Sequence, residues 1–194
     1  VSNYFKQFFA QVSNPPIDPL REKMVMALEN LLGPCLNILG ETPEHCKQIC
    51  LPQPVLDTDT FNKIRFLEDD YFKPAVVSLC FSAKSSLKDA IKRLVKKAEK
   101  QVLSGANLLI LSDRGISTDQ LPIPTLLATG AVQHHLIQCG RRSDASIIVD
   151  GGDILETHHF ACLLGYGAEA IYPRLAFTSI PDLLNRQLVK PDWE

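Results

Sequence analysis

The sequence predicts an α/β fold in which parallel strands alternate with helices. Residues 104 to 177 are typical of strand, helix, strand, helix and strand, with Gly, Asp or Pro at each junction. A further strand is predicted upstream by AVVSLCF at residues 75 to 81, a continuous apolar run of the kind that parallel strands need. We therefore expect a partial (βα) barrel or a small open parallel sheet flanked by helices, preceded by a helical, proline-rich N-terminal segment.

The N-terminal part, residues 1 to 66, is predicted to form an extended strap followed by helices. QVSNPPIDP is expected to be extended, because a residue before proline is pushed out of the helical region. Asp18 can cap a first helix, Pro19 suits its first position, and Gly33 followed by Pro34 would end it. A second, short helix is expected from Thr42. The apolar face of the first helix would consist of Leu20, Met24, Ala27, Leu28 and Leu31.

The remaining chain divides into a connector at residues 67 to 74, a βα layer at 75 to 178 and a C-terminal extension at 179 to 194. The first strand leads into the amphipathic helix SLKDAIKRLVKKAEKQVLSG, whose lysines form the solvated face. Further strands are expected to begin near residues 107, 145 and 168. We treat the whole as one domain of docked layers. The apolar stripe of the helix comprises Leu87, Ala90, Ile91, Leu94, Val95, Ala98 and Val102.

Composition excludes several classes of partner. The chain has 194 residues, 45% hydrophobic and 22% charged, with a formal net charge of −2, so no electrostatic footprint for nucleic acid or an anionic membrane is present. No apolar run reaches the roughly 18 residues of a membrane span, and VSNYFKQFF does not have the pattern of a signal peptide. Because the sequence begins without Met, we expect a fragment or a processed chain.

Six unevenly spaced cysteines do not resemble the framework of a small disulfide-rich domain. We expect free thiols in a reducing, intracellular compartment. Cys80 and Cys162 lie within apolar stretches and are predicted to be buried.

Candidate site residues follow the predicted strands. In parallel α/β folds, chemistry lies at the carboxyl ends of the strands, where the sequence has Asp113, Asp150, Gly151 and Gly152. Asp113 is either a general base or a structural residue that pairs with Arg114. This edge is therefore where we expect a site, if one exists.

The histidine pairs at 134–135 and 158–159 lie on predicted helices. Neighbours on a helix point about 100° apart, so neither pair can chelate one ion by itself. His135 and His158 could converge with Asp113 or Asp150 on a metal with an open position. The preferred interpretation is that these histidines are packed and hydrogen-bonded to acids or backbone.

Two weaker patterns remain. Cys46 and Cys50 are spaced to share a helix face and hold a soft metal, or belong to an ordinary short helix. Gly151 and Gly152 could admit a phosphate at a helix N-terminus. The flanking acids oppose this, and Asp153 is expected to cap the next helix. No nucleophile elbow, Walker loop or dinucleotide fingerprint occurs.

Several long blocks, in order, resemble the central domain of glutamate synthase. They are QVSNPPIDPLREKMVMALENLLGP, ETPEH, GANLLILSDRG, PIPTLLATGAVQHHLI and THHFACLLGYGAEAI, and they cover nearly the whole chain. Details differ from the family pattern: Ser13 replaces a frequent threonine, Gln133 replaces a third histidine, and Tyr172 and Arg174 flank Pro173 where Asn and Tyr are usual.

The resemblance implies a place in a larger flavoenzyme that makes L-glutamate from L-glutamine and 2-oxoglutarate. Its parent chain would hold a glutaminase domain, this domain, an FMN-binding barrel with an iron–sulfur cluster, and a β-helix. Ammonia would pass internally from the first to the third of these domains. The central domain would be a degenerate relative of the FMN barrel, with no cofactor, metal or catalytic residue of its own.

The same resemblance implies that the partners are the glutaminase and synthase domains of the same chain, with no nucleic acid or membrane involved. It places Ser13, Asn14 and Ile17 near the ammonia path or domain interface. The location would be cytoplasmic, or the plastid stroma in a photosynthetic eukaryote.

Two hypotheses of different classes result. The first is a non-catalytic spacer domain, which predicts exposed apolar patches where neighbouring domains dock. The alternative is a stand-alone βα enzyme with a metal held by Asp113, His135, Asp150 and His158, which predicts a pocket closed by its own loops.

Overall fold

The computed structural model describes residues 1 to 5 and 20 to 188. Three short 3-10 helices lie at Ser2–Phe5, Pro43–Cys46 and Arg142–Asp144. In the described part of the chain the order of helices and strands is α1 (Glu22–Val25), β1 (Asn30–Leu32), β2 (Ile49–Leu51), α2 (Thr58–Arg65), β3 (Pro74–Ser78), β4 (Cys80–Ser82), α3 (Leu87–Leu103), β5 (Leu108–Ser112), β6 (Gln120–Pro122), α4 (Thr125–Gln138), β7 (Ser146–Gly151), α5 (Thr157–Gly165), β8 (Ala170–Pro173) and α6 (Arg174–Asn185).

A four-stranded parallel sheet in the order β3-β5-β7-β8 forms the centre of the fold. The two middle strands, β5 and β7, are buried along their whole length, which is why their sequences are continuously apolar. Among the described residues, the edge strands β3 and β8 do not pair with each other. The prediction of a small open parallel sheet is confirmed.

One face of the sheet is covered by α3, α4 and α5, the helices that connect its strands. On α3, Ser86 caps the first turn by accepting a hydrogen bond from the Asp89 amide at 3.1 Å. Most of its predicted apolar stripe packs on the core, although Leu87 is 40% exposed. The fully buried part of that stripe consists of Ala90, Leu94, Ala98 and Val102.

The other face of the sheet is covered by residues that precede β3. In a closed barrel this face would point to the interior, but here the N-terminal region fills it. The segment 54–56 also covers the outer edge of β8, through hydrogen bonds of 2.8 Å from Leu56 to Ile171 and 2.7 Å from Ile171 to Pro54. The buried contacts join Leu32, Leu51, Leu56, Phe61 and Ile64 to Leu108, Ile110, Ile148, Ala170 and Tyr172.

The predicted first helix is wrong over most of its length. Only Glu22–Val25 is helical, and Asn30–Leu32 is a strand that pairs with Ile49–Leu51. Leu20 is 94% exposed, and a helix of a single turn is only marginally stable in water. Gly33 follows the strand with a φ of +136°.

Part of the N-terminal prediction cannot be compared with the structure. Asp18, Pro19 and the strap residues Ser13, Asn14 and Ile17 lie outside the described residues, as does the end of the predicted C-terminal extension from residue 189.

Two strand ends also differ from prediction. The predicted strand 75–81 leaves the parallel sheet after Ser78, and β4 pairs instead with β6 as an antiparallel ribbon. The last strand stops at Pro173, because its neighbour β7 ends at the paired residue Gly151 and offers no further ladder. Residues from Arg174 therefore form α6 and not a continued strand.

The short helix predicted from Thr42 is present as a 3-10 helix. All six cysteines are free thiols; Cys162 is buried as predicted, whereas Cys80 is only partly so. No helix in the described ranges is long and apolar enough to cross a membrane.

Candidate functional site

The carboxyl edge of the sheet holds a network of two buried aspartates and two partly exposed arginines. Asp113 follows β5, Asp150 lies near the end of β7, and Arg174 opens α6 after β8. Asp150 is fully buried and Asp113 is 4% exposed. Three consecutive strand ends therefore deliver charges to one point, as the predicted position of the two aspartates required.

Asp150 binds both arginines. Its Oδ2 accepts hydrogen bonds from Ser112 Oγ at 2.8 Å and from Arg114 Nε at 2.6 Å. Its Oδ1 lies 3.4 Å from Arg174 Nε, an ion-pair contact, and among the described residues neither atom has a hydrogen-bond partner. Arg114 in turn lies over the ring of Phe61, 5.9 Å from its centroid.

Asp113 uses both of its carboxylate oxygens. Oδ1 accepts a hydrogen bond from Arg174 Nη2, and Oδ2 accepts one from the Gly152 amide at 2.8 Å. The predicted pairing of Asp113 with Arg114 is therefore wrong, since Arg114 forms its ion pair with Asp150. Each oxygen of Asp113 thus accepts one hydrogen bond from a group of the fold and keeps a second lone pair.

Arg174 completes the charge balance of the network. Burial lowers the pKa of its guanidinium, but the hydrogen bond and negative charge of Asp113, with the charge of Asp150, outweigh burial and raise that pKa overall. The guanidinium therefore stays positively charged. The two carboxylates and the two guanidinium groups thus link the ends of β5, β7 and β8 through ion pairs.

A cavity of about 430 Å³ opens beside this network. Its polar wall consists of Asp113, Asp153 and Arg174. The remaining wall is largely apolar, lined by Ile116, Pro122, Ile123, Pro124 and Leu175.

The two glycines after β7 serve packing and hydrogen bonding. A Cβ on Gly151 would lie 2.7 Å from Thr125 Cγ2 and 2.8 Å from Ile154 Cδ1. The Gly152 amide is already donated to Asp113. With Asp153 beside them, these residues do not fit a phosphate, including that of FMN.

Asp153 caps a different helix from the predicted one. It accepts hydrogen bonds from the Thr125 amide at 3.1 Å and the Thr125 hydroxyl at 2.7 Å, at the start of α4. The next helix in sequence, α5, begins instead after Glu156.

The structure does not bring the histidines to this edge. His135 Nε2 lies 2.8 Å from Glu99 Oε2, on α3, and His158 Nε2 lies 3.5 Å from Cys162 Sγ, one turn along α5. Neither groups with Asp113 or Asp150 as possible metal ligands in the described residues. His135 thus has the acid partner that the preferred interpretation gives these histidines, although away from the sheet end, whereas the contact of His158 is to a thiol.

The cysteine pair does not share a helix. Cys46 ends a 3-10 helix, whereas Cys50 lies in β2. Iron–sulfur clusters are held by several cysteine thiolates at one point. Within the described ranges no such group of cysteines exists, so the residues seen here do not fit a cluster.

Sequence reasoning missed Arg174 as a partner of the aspartates and assigned Arg114 to Asp113 and not to Asp150. Arg174 was visible only as a departure from the family pattern, and its arrival at Asp113 depends on β8 ending at Pro173. It also missed Glu99 and Cys139, which join His135 in a group of possible ligands. The one local signal was the spacing of four residues between His135 and Cys139.

Comparison with known proteins identifies the family of this chain. The family model described as the glutamate synthase central domain matches residues 1–193. The chain belongs to this family.

Named relatives agree with that assignment. The chain is 47% identical over 180 residues to ferredoxin-dependent glutamate synthase 1, chloroplastic/mitochondrial, of Arabidopsis thaliana. It is 36% identical over 194 residues to glutamate synthase [NADH] of Schizosaccharomyces pombe, and 41% identical over 177 residues to the glutamate synthase [NADPH] large chain of Bacillus subtilis.

The matched regions cover 90%, 97% and 91% of this chain but only 11%, 9% and 12% of those three relatives. This chain therefore spans about a tenth of their length. Among solved structures, dihydropteroate synthase of Burkholderia cenocepacia complexed with 7,8-dihydropteroate aligns with 56% of this chain and 37% of its own at 18% identity and a TM-score of 0.33. That likeness is too distant to inform fold or function.

Proposed function

We propose that this chain is a non-catalytic central domain that links the glutaminase and FMN-binding synthase domains of a glutamate synthase and helps to form the ammonia path between them. The observation that carries the proposal is the match of the family model to residues 1–193, in relatives about ten times longer. The parent enzyme makes L-glutamate from L-glutamine and 2-oxoglutarate, and its FMN and iron–sulfur cluster reside in the synthase domain.

The chemistry of the carboxyl edge supports a structural role. Asp113 and Asp150 are engaged with Arg174, Arg114 and the Gly152 amide, so their charges are balanced within the fold. Such ion pairs suit a linking domain, because they keep three strand ends at fixed positions relative to the surfaces that neighbouring domains contact.

The exposed apolar residues of the N-terminal region support a docking role. Leu20, Ile38 and Leu39 are 94%, 92% and 89% exposed, and Met24 and Leu28 are more than 60% exposed. So many large apolar side chains in one short stretch are typical of a surface that another protein part covers. We assign that cover to the glutaminase and synthase domains of the same chain.

The linking role is tested in the full-length enzyme with Leu39→Asp. A charge on a buried interface is costly, so glutamate formed per glutamine consumed is expected to fall while glutaminase turnover persists. The matched control is Leu103→Asp, at a 62% exposed leucine that ends α3. Equal coupling ratios in both variants and the wild type would contradict the role of the N-terminal surface.

The ammonia path is tested separately with Ser13→Val, since the strap residues Ser13, Asn14 and Ile17 are the ones that the family resemblance places there. Removal of the hydroxyl is expected to lower the coupling ratio. Ser104→Val, at an exposed serine after α3, is the control. An unchanged ratio in Ser13→Val would remove the strap from the path and leave the linking role standing.

A further inference from the structure

Three metal-binding side chains meet on the outer surface of the helical layer, away from the carboxyl edge. Glu99 lies near the end of α3, while His135 and Cys139 lie at the end of α4. One ligand atom of each lies within 4.8 Å of the other two. We propose that Glu99, His135 and Cys139 form a Zn²⁺ site that clamps α3 to α4, with a fourth position open to water. This goes beyond the linking role and does not depend on it.

The geometry of the helix pair already matches the spacing that zinc needs. His135 and Cys139 are four residues apart, so both side chains lie on one face of α4, and Cys139 Sγ lies 3.6 Å from His135 Nε2. Zinc bonds of about 2.0–2.1 Å to nitrogen and 2.3 Å to sulfur at a tetrahedral angle put these atoms about 3.5 Å apart. The two ligands from α4 are thus at chelating distance.

The carboxylate needs only a small movement. Glu99 Oε2 lies 2.8 Å from His135 Nε2, whereas a shared tetrahedral zinc would set these atoms about 3.4 Å apart. A partly exposed glutamate side chain can move by this amount through a change of rotamer. The imidazole side chain is 17% exposed and the glutamate 23%, so packing already positions both donors.

Neighbouring charges do not prevent binding. Lys96 Nζ lies 3.6 Å from Glu99 Oε2, but the lysine side chain is 73% exposed and can turn into solvent. Partial desolvation first, and then the hydrogen bond to Glu99, raise the pKa of the Cys139 thiol. Zinc would therefore release a proton on binding, as thiol ligands do.

Elsewhere in the described residues, two pairs of side chains repeat parts of this arrangement. His158 and Cys162 repeat the four-residue spacing on α5 at 3.5 Å, and His159 and Glu156 repeat the imidazole–carboxylate contact at 3.4 Å. Among the described residues, only Glu99, His135 and Cys139 combine all three ligand types within reach of one ion. These partial pairs serve as internal controls.

The test is zinc content and zinc protection in the full-length protein that carries this chain. We expect wild type to hold one more zinc per chain than Cys139→Ser, measured by elemental mass spectrometry after dialysis against Zn²⁺. Added Zn²⁺ is expected to slow alkylation of Cys139 at least tenfold, measured on its peptide by mass spectrometry, with the exposed Cys50 as the reference thiol. Chelation should restore the rate.

A second variant keeps the test decisive if Cys139→Ser fails to fold. Glu99→Gln retains the shape and loses the anionic ligand, so it should abolish the protection of Cys139, while Glu156→Gln on α5 should preserve it. Equal zinc content in wild type and Cys139→Ser, or alkylation of Cys139 at one rate with and without Zn²⁺, would overturn the site.

Discussion

The βα layer and the N-terminal region of this chain differ in how far their apolar side chains are buried. Residues of β5 and β7 are buried without exception, and helices cover them on one face. Between residues 20 and 39, by contrast, large apolar side chains such as Leu20 and Ile38 are almost fully exposed. The layer thus contains its own core, whereas part of the N-terminal region presents apolar surface outward.

The two regions also differ in how they handle charge. The layer buries Asp150 and balances it with Arg114 and Arg174. The 3-10 helix of the N-terminal region has an exposed pair, Lys47 and Glu44, with 4.0 Å between charged atoms. A network around a buried charge fixes side-chain positions that an exposed ion pair does not fix. The layer therefore sets the positions of the N-terminal residues that pack on it.

The largest effect that would sharpen this comparison is expected from Asp150→Ala. It leaves Arg114 and Ser112 without the carboxylate that accepts their hydrogen bonds and Arg174 without its second counter-charge, and should lower the free energy of unfolding by about 4 kcal/mol. Urea unfolding of the chain measures it. The control is Asp182→Ala, which removes an exposed pair with Arg186 and should cost less than about 1 kcal/mol. Comparable losses of unfolding free energy in the two variants would show that the network does not stabilise the fold more than an exposed ion pair does.

A direct contrast of apolar residues comes next. Leu109→Ala removes a fully buried leucine from β5 and should lower the free energy of unfolding by about 3 kcal/mol. Leu28→Ala, at a side chain 63% exposed, should change it by no more than about 0.5 kcal/mol. A large loss for Leu28→Ala would mean that the N-terminal region is packed within this chain, and would break the comparison.

A smaller effect is expected at the glycines. Gly151→Ala places a methyl group against Thr125 and Ile154 at under 3 Å, and should destabilise the chain by about 2 kcal/mol through overpacking. Gly165, which ends α5, has no heavy atom within 4 Å of an added Cβ. Gly165→Ala should therefore stabilise by about 0.5 kcal/mol. Thermal unfolding of both variants decides whether Gly151 is retained for packing.

The smallest effect is a pH dependence at α2, in the N-terminal region. The Thr60 amide, and then the Thr60 side chain, hold the pKa of Asp57 below its ordinary value of 3.8. A depressed folded pKa means that this stabilisation is present above pH of about 4 and is lost as pH falls through the folded value. Asn caps a helix without titrating.

The difference in urea midpoint between wild type and Asp57→Asn should accordingly shrink as the pH falls below about 4. A constant difference across this range would show that the Asp57 carboxylate does not stabilise α2 through its charge.

Local patterns were enough to predict the layer. The apolar stripe of α3, the prolines before α4, and the acids at the ends of β5 and β7 are all properties of short segments, and each falls where it was expected. The predicted helix from residue 19 failed for the opposite reason. Its apolar spacing is real, but Asn30–Leu32 gains a ladder with Ile49–Leu51 that no local pattern shows.

The candidate site divides in the same way. The positions of Asp113 and Asp150 follow from strand ends, so the sequence by itself determined where charge would gather and that the fold would be an α/β layer with parallel strands. Which arginine meets which aspartate, whether His135 faces Asp113 or Glu99, and what covers the second face of the sheet were decided by the tertiary structure alone. The physical reason is that these contacts join residues far apart in the sequence, for example 36 positions for Arg114 and Asp150 and 61 for Asp113 and Arg174, across elements whose spacing is set by packing and not by local propensity.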